Sequence, residues 1–164
     1  MTKSYLILGG NQGNKENYRL CAIDEIRNRC GELISLSQVY LTEPWGFECD
    51  DLFWNQAVCI ETQLSPESLL EELLDIEHRL GRIRDKAGYQ SRTIDIDILY
   101  YDDEIITTDK LIIPHPKIHL RRFVLCPLCD IAPDYIHPVF GKSNLQLLNE
   151  CPDKNKAFLQ EKDE

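Results

Sequence analysis

The sequence predicts an α+β fold, an antiparallel sheet with helices packed on it, and three observations lead there. Short apolar runs bounded by Gly, Pro, Asn and Asp read as strands, whereas two longer stretches open on helix-capping residues. These elements follow one another as strand, helix, strand, strand, helix, strand, the split order of a ferredoxin-like sheet with its helices on one face. At 164 residues, 43% of them hydrophobic, the chain can bury a core without disulfides or a structural metal, so residues 1–164 are expected to form a single domain.

Ser4-Tyr-Leu-Ile-Leu8 is an apolar run closed by Gly9-Gly10, and Asn14 is placed to cap a helix over residues 15–30. Residues 33–40 and 53–62 read as strands, separated by a loop with Pro44 and Gly46 that is long enough to carry function. Ser65-Pro66-Glu67 supplies a cap, a first-turn proline and an acid; Leu69, Leu70, Leu73, Ile76 and Leu80 then recur at helical spacing up to Gly81. Residues 93–101 form the clearest alternating strand, and Asp102-Asp103-Glu104 reads as the turn into a partner strand around Ile105-Ile106. After Pro114-His115-Pro116 a helix is expected over 121–131, kinked or restarted at Pro127, and a short one over 143–150. The polar segment 150–164 reads as a loose end.

Eighteen Lys and Arg stand against 28 Asp and Glu, a net charge of −10. That argues against nucleic acid as a partner, since sequence-independent affinity for phosphate backbones comes from basic surface. An anionic ligand therefore has to meet a local basic patch. No apolar run approaches the ~20 residues of a bilayer span, and residues Met1 to Tyr5 lead into a strand-like run instead of a signal-peptide core. A cytoplasmic protein with no membrane partner is expected. The seven cysteines, an odd number at irregular spacing, do not suit a disulfide framework. Cys126-Pro-Leu-Cys129 has no second pair and no neighbouring His set, and reads as packing instead of zinc or redox chemistry.

In Thr93-Ile94-Asp95-Ile96-Asp97-Ile98-Leu99, alternation sends Ile94, Ile96 and Ile98 to one face and Asp95 and Asp97 to the other. Two carboxylates side by side on a strand repel each other, a cost that a divalent cation turns into a gain, with phosphates and water completing its shell. Just upstream, Arg79, Arg82, Arg84, Lys86 and Arg92 face a single acid, Asp85. This is the required basic patch, and guanidinium forks suit phosphate oxygens. Gly9-Gly-Asn-Gln-Gly13-Asn-Lys15 fits neither phosphate-loop template and reads as a tight turn whose residues could line a site. His115, held between two prolines, is either a phosphate donor or structural.

Gly81-Arg82-Ile83-Arg84, Ser91-Arg92-Thr-Ile-Asp95-Ile-Asp97-Ile98-Leu99, Pro114-His115 and Arg121-Arg122-Phe123-Val-Leu125 with Pro127-Leu128 and Ile131-Ala-Pro133 together resemble the 6-hydroxymethyl-7,8-dihydropterin pyrophosphokinase family of folate biosynthesis. The resemblance runs from Tyr5 to about Pro138. It implies a ferredoxin-like fold, ATP with two Mg²⁺, and transfer of the β,γ-diphosphate to the pterin hydroxymethyl group with release of AMP. It places Asp95 and Asp97 on the metals and Arg82, Arg84, Arg92, His115 and Arg121 on the triphosphate, with Arg82 and Arg92 catalytic beside the two acids. Glu77, Ile98 and Lys110 fall around the nucleotide, and Thr42, Pro44, Trp45, Phe53, Asn55, Tyr89 and Phe123 around the pterin. The partners it implies are these two small molecules, and a monomer is expected.

The chain departs from the family pattern at Gly88-Tyr89-Gln90-Ser91, with Tyr where Trp is common and no Gly at position 90, and at Pro116, where Tyr is frequent. These departures are expected to alter affinity and not chemistry. Rival readings are a sugar-nucleotide transferase using the same acid pair, whose usual scaffold is larger, and a non-enzymatic ligand-binding module, which leaves the acids and arginines without a purpose.

The packing reading of the C-x-x-C pair makes a prediction. Cys126→Ser and Cys129→Ser should each lower stability by about 1 kcal/mol, since a hydroxyl is harder to bury than a thiol, and leave turnover unchanged. Chelators should leave the melting curve in place; stoichiometric zinc lost together with the fold would contradict it.

Overall fold

The computed structural model describes residues 1–11, 14–42, 52–81, 94–155 and 157–160. Eight strands and four helices are described: β1 (Thr2–Gly10), α1 (Lys15–Arg29), β2 (Glu32–Leu36), β3 (Tyr40–Thr42), β4 (Phe53–Thr62), α2 (Pro66–Arg79), β5 (Asp95–Tyr101), β6 (Ile106–Thr107), β7 (Ile112–Ile113), α3 (Arg122–Ile131), α4 (Asn144–Asn149) and β8 (Phe158–Leu159). The helices start where the caps put them. The Asn14 side chain accepts from the Asn17 amide, Ser65 from Ser68, and Ser143 with Gln146 forms a capping box.

The main sheet is antiparallel throughout, with β1 between β4 and β5. Strand β4 carries both β2 and β3 on its other side, and β8 pairs with β3 at the far edge. Counting β2 and β3 as one broken strand, the order last-first-third-second is that of the ferredoxin-like sheet. Alternation divides the core in two. Leu6, Leu8, Val58, Ile60, Ile96 and Ile98 face Ile23 and Ile26 of α1 and Leu69, Leu73 and Ile76 of α2. Ile7, Ala57, Leu99 and Tyr100 face Val124, Leu125 and Leu128 of α3 and Leu147 of α4.

Several expectations need correction. Helices cover both faces of the sheet, not one, because the 122–131 and 144–149 segments pack on the face opposite α1 and α2. Gly9 and Gly10 do not close the first strand but belong to it. The strand expected over 33–40 breaks at residues 37–39: the Ser37 Oγ takes the place of a main-chain acceptor, receiving the Ala57 amide at 2.8 Å. The segment near Ile106 does not pair with β5. It pairs with β7, because the open edge of β5 is already used, the Ile96 amide by the Glu77 carboxylate and the Leu99 carbonyl by the His115 amide. Helix α3 runs unbroken through Pro127; burial of Val124, Leu125, Pro127 and Leu128 offsets the missing backbone bond. Part of the segment read as a loose end is paired, Phe158 opposite Leu41 and Leu159 opposite Tyr40.

Cys126 and Cys129 lie half-buried on α3, and burial pushes both thiols up, Cys129 to about 12. Such thiols are neutral and unreactive at pH 7. Among the described residues no group of three His, Cys, Asp or Glu is placed to hold a metal ion.

His137 is 3% exposed, stacked on Phe140 at 4.4 Å, and its Nδ1 accepts the Val139 and Phe140 amides. Burial, with His119 nearby, pushes it down from 6.5 to about 4. Between those values the unfolded chain binds a proton that the folded chain refuses, so stability falls as pH drops from 6.5 to about 4 and levels off below. One such histidine contributes at most ~3 kcal/mol. His137→Asn should shallow that decline; urea melts from pH 7 to 4 with the same slope in both proteins would disprove it.

Candidate active site

The two carboxylates on β5 face away from the Ile96/Ile98 core, as their alternation requires, and open into a cleft of about 1190 Å³. Its floor is the end of the sheet: Ile7 to Gly9 of β1, Phe53 and Asn55 of β4, and residues 95–98 of β5. One wall is α2, another the β6–β7 hairpin, and the third is the chain from His115 into the first turn of α3. The described residues that the resemblance placed at a site all line this one cleft: Thr42, Phe53, Asn55, Glu77, Asp95, Asp97, Ile98, Lys110, His115, Arg121 and Phe123; Arg79, read as part of the basic patch, does not, and pairs with Asp75 at 3.0 Å. Pro44, Trp45, Arg82, Arg84, Tyr89 and Arg92 lie outside the described residues.

Gly9 holds the centre of the floor. In the register of the sheet it stands between Asn55 on one side and Asp95 on the other. A Cβ there would meet the Asn55 Oδ1 and the Trp54 carbonyl, each at 3.2 Å, so glycine lets the Asn55 amide lie flat against β1. Asn55 is 5% exposed and donates through Nδ2 to the Thr42 Oγ1 at 3.2 Å. That bond orients the amide and leaves a polar edge for a ligand.

Glu77, 2% exposed at the end of α2, accepts the Ile96 amide at 2.7 Å. The bond satisfies an outward backbone donor on an edge strand and pins β5 between its two acids. The register of β5 against β1 shifts between Tyr5 and Leu6, leaving Leu99 without a partner. Leu99 and Tyr100 therefore both reach the α3 face. The Leu99 carbonyl receives the His115 amide at 3.0 Å, and the Lys117 amide donates to His115 Nδ1 at 3.2 Å. With Nδ1 accepting, the proton sits on Nε2. Burial first, then Arg121 and Lys117, push His115 down to about 4 against the pull of Asp95. The ring is a neutral donor at pH 7.

Arg121 sits at the N-cap position of α3, extended, with no side-chain cap bond of its own. Its guanidinium lies 5.6 Å from the centre of the Phe123 ring, close enough for a cation–π contact. Phe123 is half-buried: it packs against the core on the α3 side of the sheet and also faces the cleft.

Gly9, read as part of a tight turn whose residues could line a site, does line the cleft but from within β1; sequence reasoning missed the outer stripe of α2, where Glu67, Leu70, Glu71 and Leu74 line the cleft. Leu70 reads from sequence as one of the helix's recurring apolar residues and Glu67 as its first-turn acid, and the spacing alone does not say that this stripe borders a cleft.

An α+β domain with an acid pair, an oriented amide, a neutral imidazole and an arginine around one cleft defines a small-molecule enzyme. Similarity to known proteins narrows this. Residues 5–133 match the family model described as 7,8-dihydro-6-hydroxymethylpterin-pyrophosphokinase. A 2-amino-4-hydroxy-6-hydroxymethyldihydropteridine pyrophosphokinase of Methylorubrum extorquens is 41% identical over 137 residues, which is 83% of this chain and 86% of that one. One of the same name from Porphyromonas gingivalis is 39% identical over 144 residues, 86% of this chain and 97% of its own. A crystal structure of HPPK-DHPS in complex with substrates superposes with a TM-score of 0.73 at 18% identity, covering 91% of this chain but 43% of that one; that likeness shows the shared fold. The chain belongs to the 7,8-dihydro-6-hydroxymethylpterin-pyrophosphokinase family.

Gly9→Ala should push the Asn55 amide off Thr42. A shift of a few tenths of an ångström relieves these contacts, and since about 1 Å in a positioned group can cost on the order of 100-fold, the variant is expected to lose a few-fold in kcat/KM with a small change in Tm. Unchanged kinetics would show that Asn55 tolerates the shift.

Proposed function

We propose that the family reaction runs in this cleft, with the residues named above in the roles that the family resemblance implies. The chain transfers the β,γ-diphosphate of ATP to the hydroxymethyl group of 6-hydroxymethyl-7,8-dihydropterin, releasing AMP, in folate biosynthesis. The pterin hydroxyl attacks the β-phosphorus, the bond from that phosphorus to the α,β-bridging oxygen breaks, and the hydroxyl proton is lost. The single observation that carries the reading is the convergence of Asp95 and Asp97 with Asn55, His115 and Arg121 on one cleft.

The donor set suits magnesium. Two carboxylates project from alternate positions of β5 and the described residues add no third ligand group, so a hard cation there would complete its shell with phosphate oxygens and water. When bound, two such ions would neutralise phosphate charge and acidify the attacking hydroxyl. The chain's own part is positioning. Asn55 and Thr42 read the polar edge of the pterin, with Phe53, Phe123, Pro44, Trp45 and Tyr89 around its ring. The Nε2–H of neutral His115, with Arg82, Arg84, Arg92 and Arg121, holds the triphosphate, while Glu77, Ile98 and Lys110 frame the nucleotide. We further take the protein to act as a cytoplasmic monomer on these two small molecules; the net charge of −10 supports the exclusion of nucleic acid, and no described helix is long and apolar enough to cross a membrane.

The test is direct. Purified protein with ATP, Mg²⁺ and the reduced hydroxymethyl pterin should yield AMP and the pterin diphosphate, whereas ADP as the nucleotide product would sink the reading. Asp95→Ala and Asp97→Ala should each lower turnover by roughly 100-fold or more while Tm holds or rises, because a mutual repulsion is removed. Near-normal activity in a folded Asp97→Ala protein removes the metal assignment.

A further inference from the structure

Helix α3 starts at the cleft, with Arg121 as its N-cap residue and Phe123 in its first turn, yet it has no cap of its own. A residue that could cap, such as Ser or Asp, would stand where the arginine is needed. The cap comes from elsewhere. Asp153, beyond α4, accepts the Arg122 amide through Oδ2 at 3.2 Å, and its own carbonyl accepts the Arg122 Nε at 3.0 Å. Its other oxygen, Oδ1, receives the Asn155 amide at 2.9 Å, so the carboxylate is held from both sides.

The segment bearing Asp153 is itself anchored twice. Cys151, two residues earlier, is 3% exposed in the α3–α4 core. Further on, β8 pairs with β3 and the Gln160 amide donates to the Val39 carbonyl at 2.9 Å. Strand β3 ends at Thr42, the partner of Asn55. The C-terminal segment thus grips the cleft's two sides, at β3 and at α3. All of it lies outside residues 5–133, the part that matches the family model.

We propose that Asp153 is a positioning residue for the transfer reaction: by capping α3 from the C-terminal segment, it holds Arg121 and Phe123 at the cleft. The inference rests on the proposed function, since it takes these two side chains to face substrate. Without the cap, the first turn of α3 loses a donor's partner and frays, and the two side chains on it lose their fixed directions. Asparagine keeps one acceptor, enough for the Arg122 amide, and gives up only the bond from the Asn155 amide, so Asp153→Asn should keep the cap and nearly all of the function.

The experiment is a titration of 6-hydroxymethyl-7,8-dihydropterin, in the presence of α,β-methylene ATP to block transfer, followed by steady-state kinetics on the same proteins. Asp153→Ala is expected to weaken pterin binding about three- to tenfold and to lower kcat, while Asp153→Asn stays within about twofold of wild type. Ser143→Ala removes a cap of the same kind from α4, whose Oγ accepts the Gln146 amide at 3.1 Å; it should lower Tm comparably and leave pterin binding unchanged. If Asp153→Ala loses Tm like Ser143→Ala but binds pterin and turns over as wild type does, the cap is merely structural and the proposal falls. It falls equally if Asp153→Asn is as impaired as Asp153→Ala. A wild-type protein that binds neither ligand overturns the functional reading, and with it this inference.

Discussion

The pairing of β5 with β1 is the constraint on which the rest of the site depends. It sets Asp95 opposite Gly9, while β4 sets Asn55 opposite the same residue from the other side. A strand register is all-or-none with respect to faces, because a slip by one residue turns every side chain over. A slipped β5 would turn Asp95 and Asp97 into the core under α1 and α2 and take Ile96 and Ile98 out of it. The hydrophobic face opposes that slip, since each buried Ile or Leu is worth roughly 1.5–3 kcal/mol. The Glu77 bond to the Ile96 amide, at 2.7 Å, adds a local lock that the shifted strand could not make in the same place. Acid placement is therefore a by-product of core packing.

The irregularity at Leu99 follows from the same strand having two neighbours with different demands. Upstream, β5 must alternate strictly to keep the acids on one face. Past the shift, Leu99 and Tyr100 both serve the second core. The carbonyl at the shift receives the His115 amide, which brings the Pro114-His115-Pro116 segment against the sheet. The imidazole beside it stays uncharged because it is buried near Arg121 and Lys117. A neutral donor is tolerated where another cation would add repulsion. In a chain with a net charge of −10, the cleft still presents Lys110, Lys117 and Arg121 among its acids. Under the proposed function these cations, and not the molecule's overall field, are what would draw a polyphosphate in.

Much of this was legible in the primary structure. Caps at Asn14 and Ser65, the bounds of β4, and the division of Ile96 and Ile98 from Asp95 and Asp97 all emerge as read. So does the gathering of Thr42, Asn55, Glu77, Lys110, His115 and Arg121, although that came from motif resemblance and not from periodicity. What was not legible is non-local. The two short strands β6 and β7 pair with each other because Glu77 and His115 have already occupied the β5 edge, and Glu77 belongs to a helix far from β6 in the chain.

By itself the sequence determined which segments are helical or extended and which side chains share a face, because caps, turn residues and alternation act over a few residues of backbone. Tertiary structure decided that helices cover both faces, that Gly9 is the gap between Asn55 and Asp95, that Ser37 breaks a strand by bonding to Ala57, and that the C-terminal segment pairs with β3 and caps α3. Each of these is a contact between residues distant along the chain. A one-dimensional pattern carries no term for such contacts; they are selected only when the buried backbone groups of the whole fold have to find partners at once.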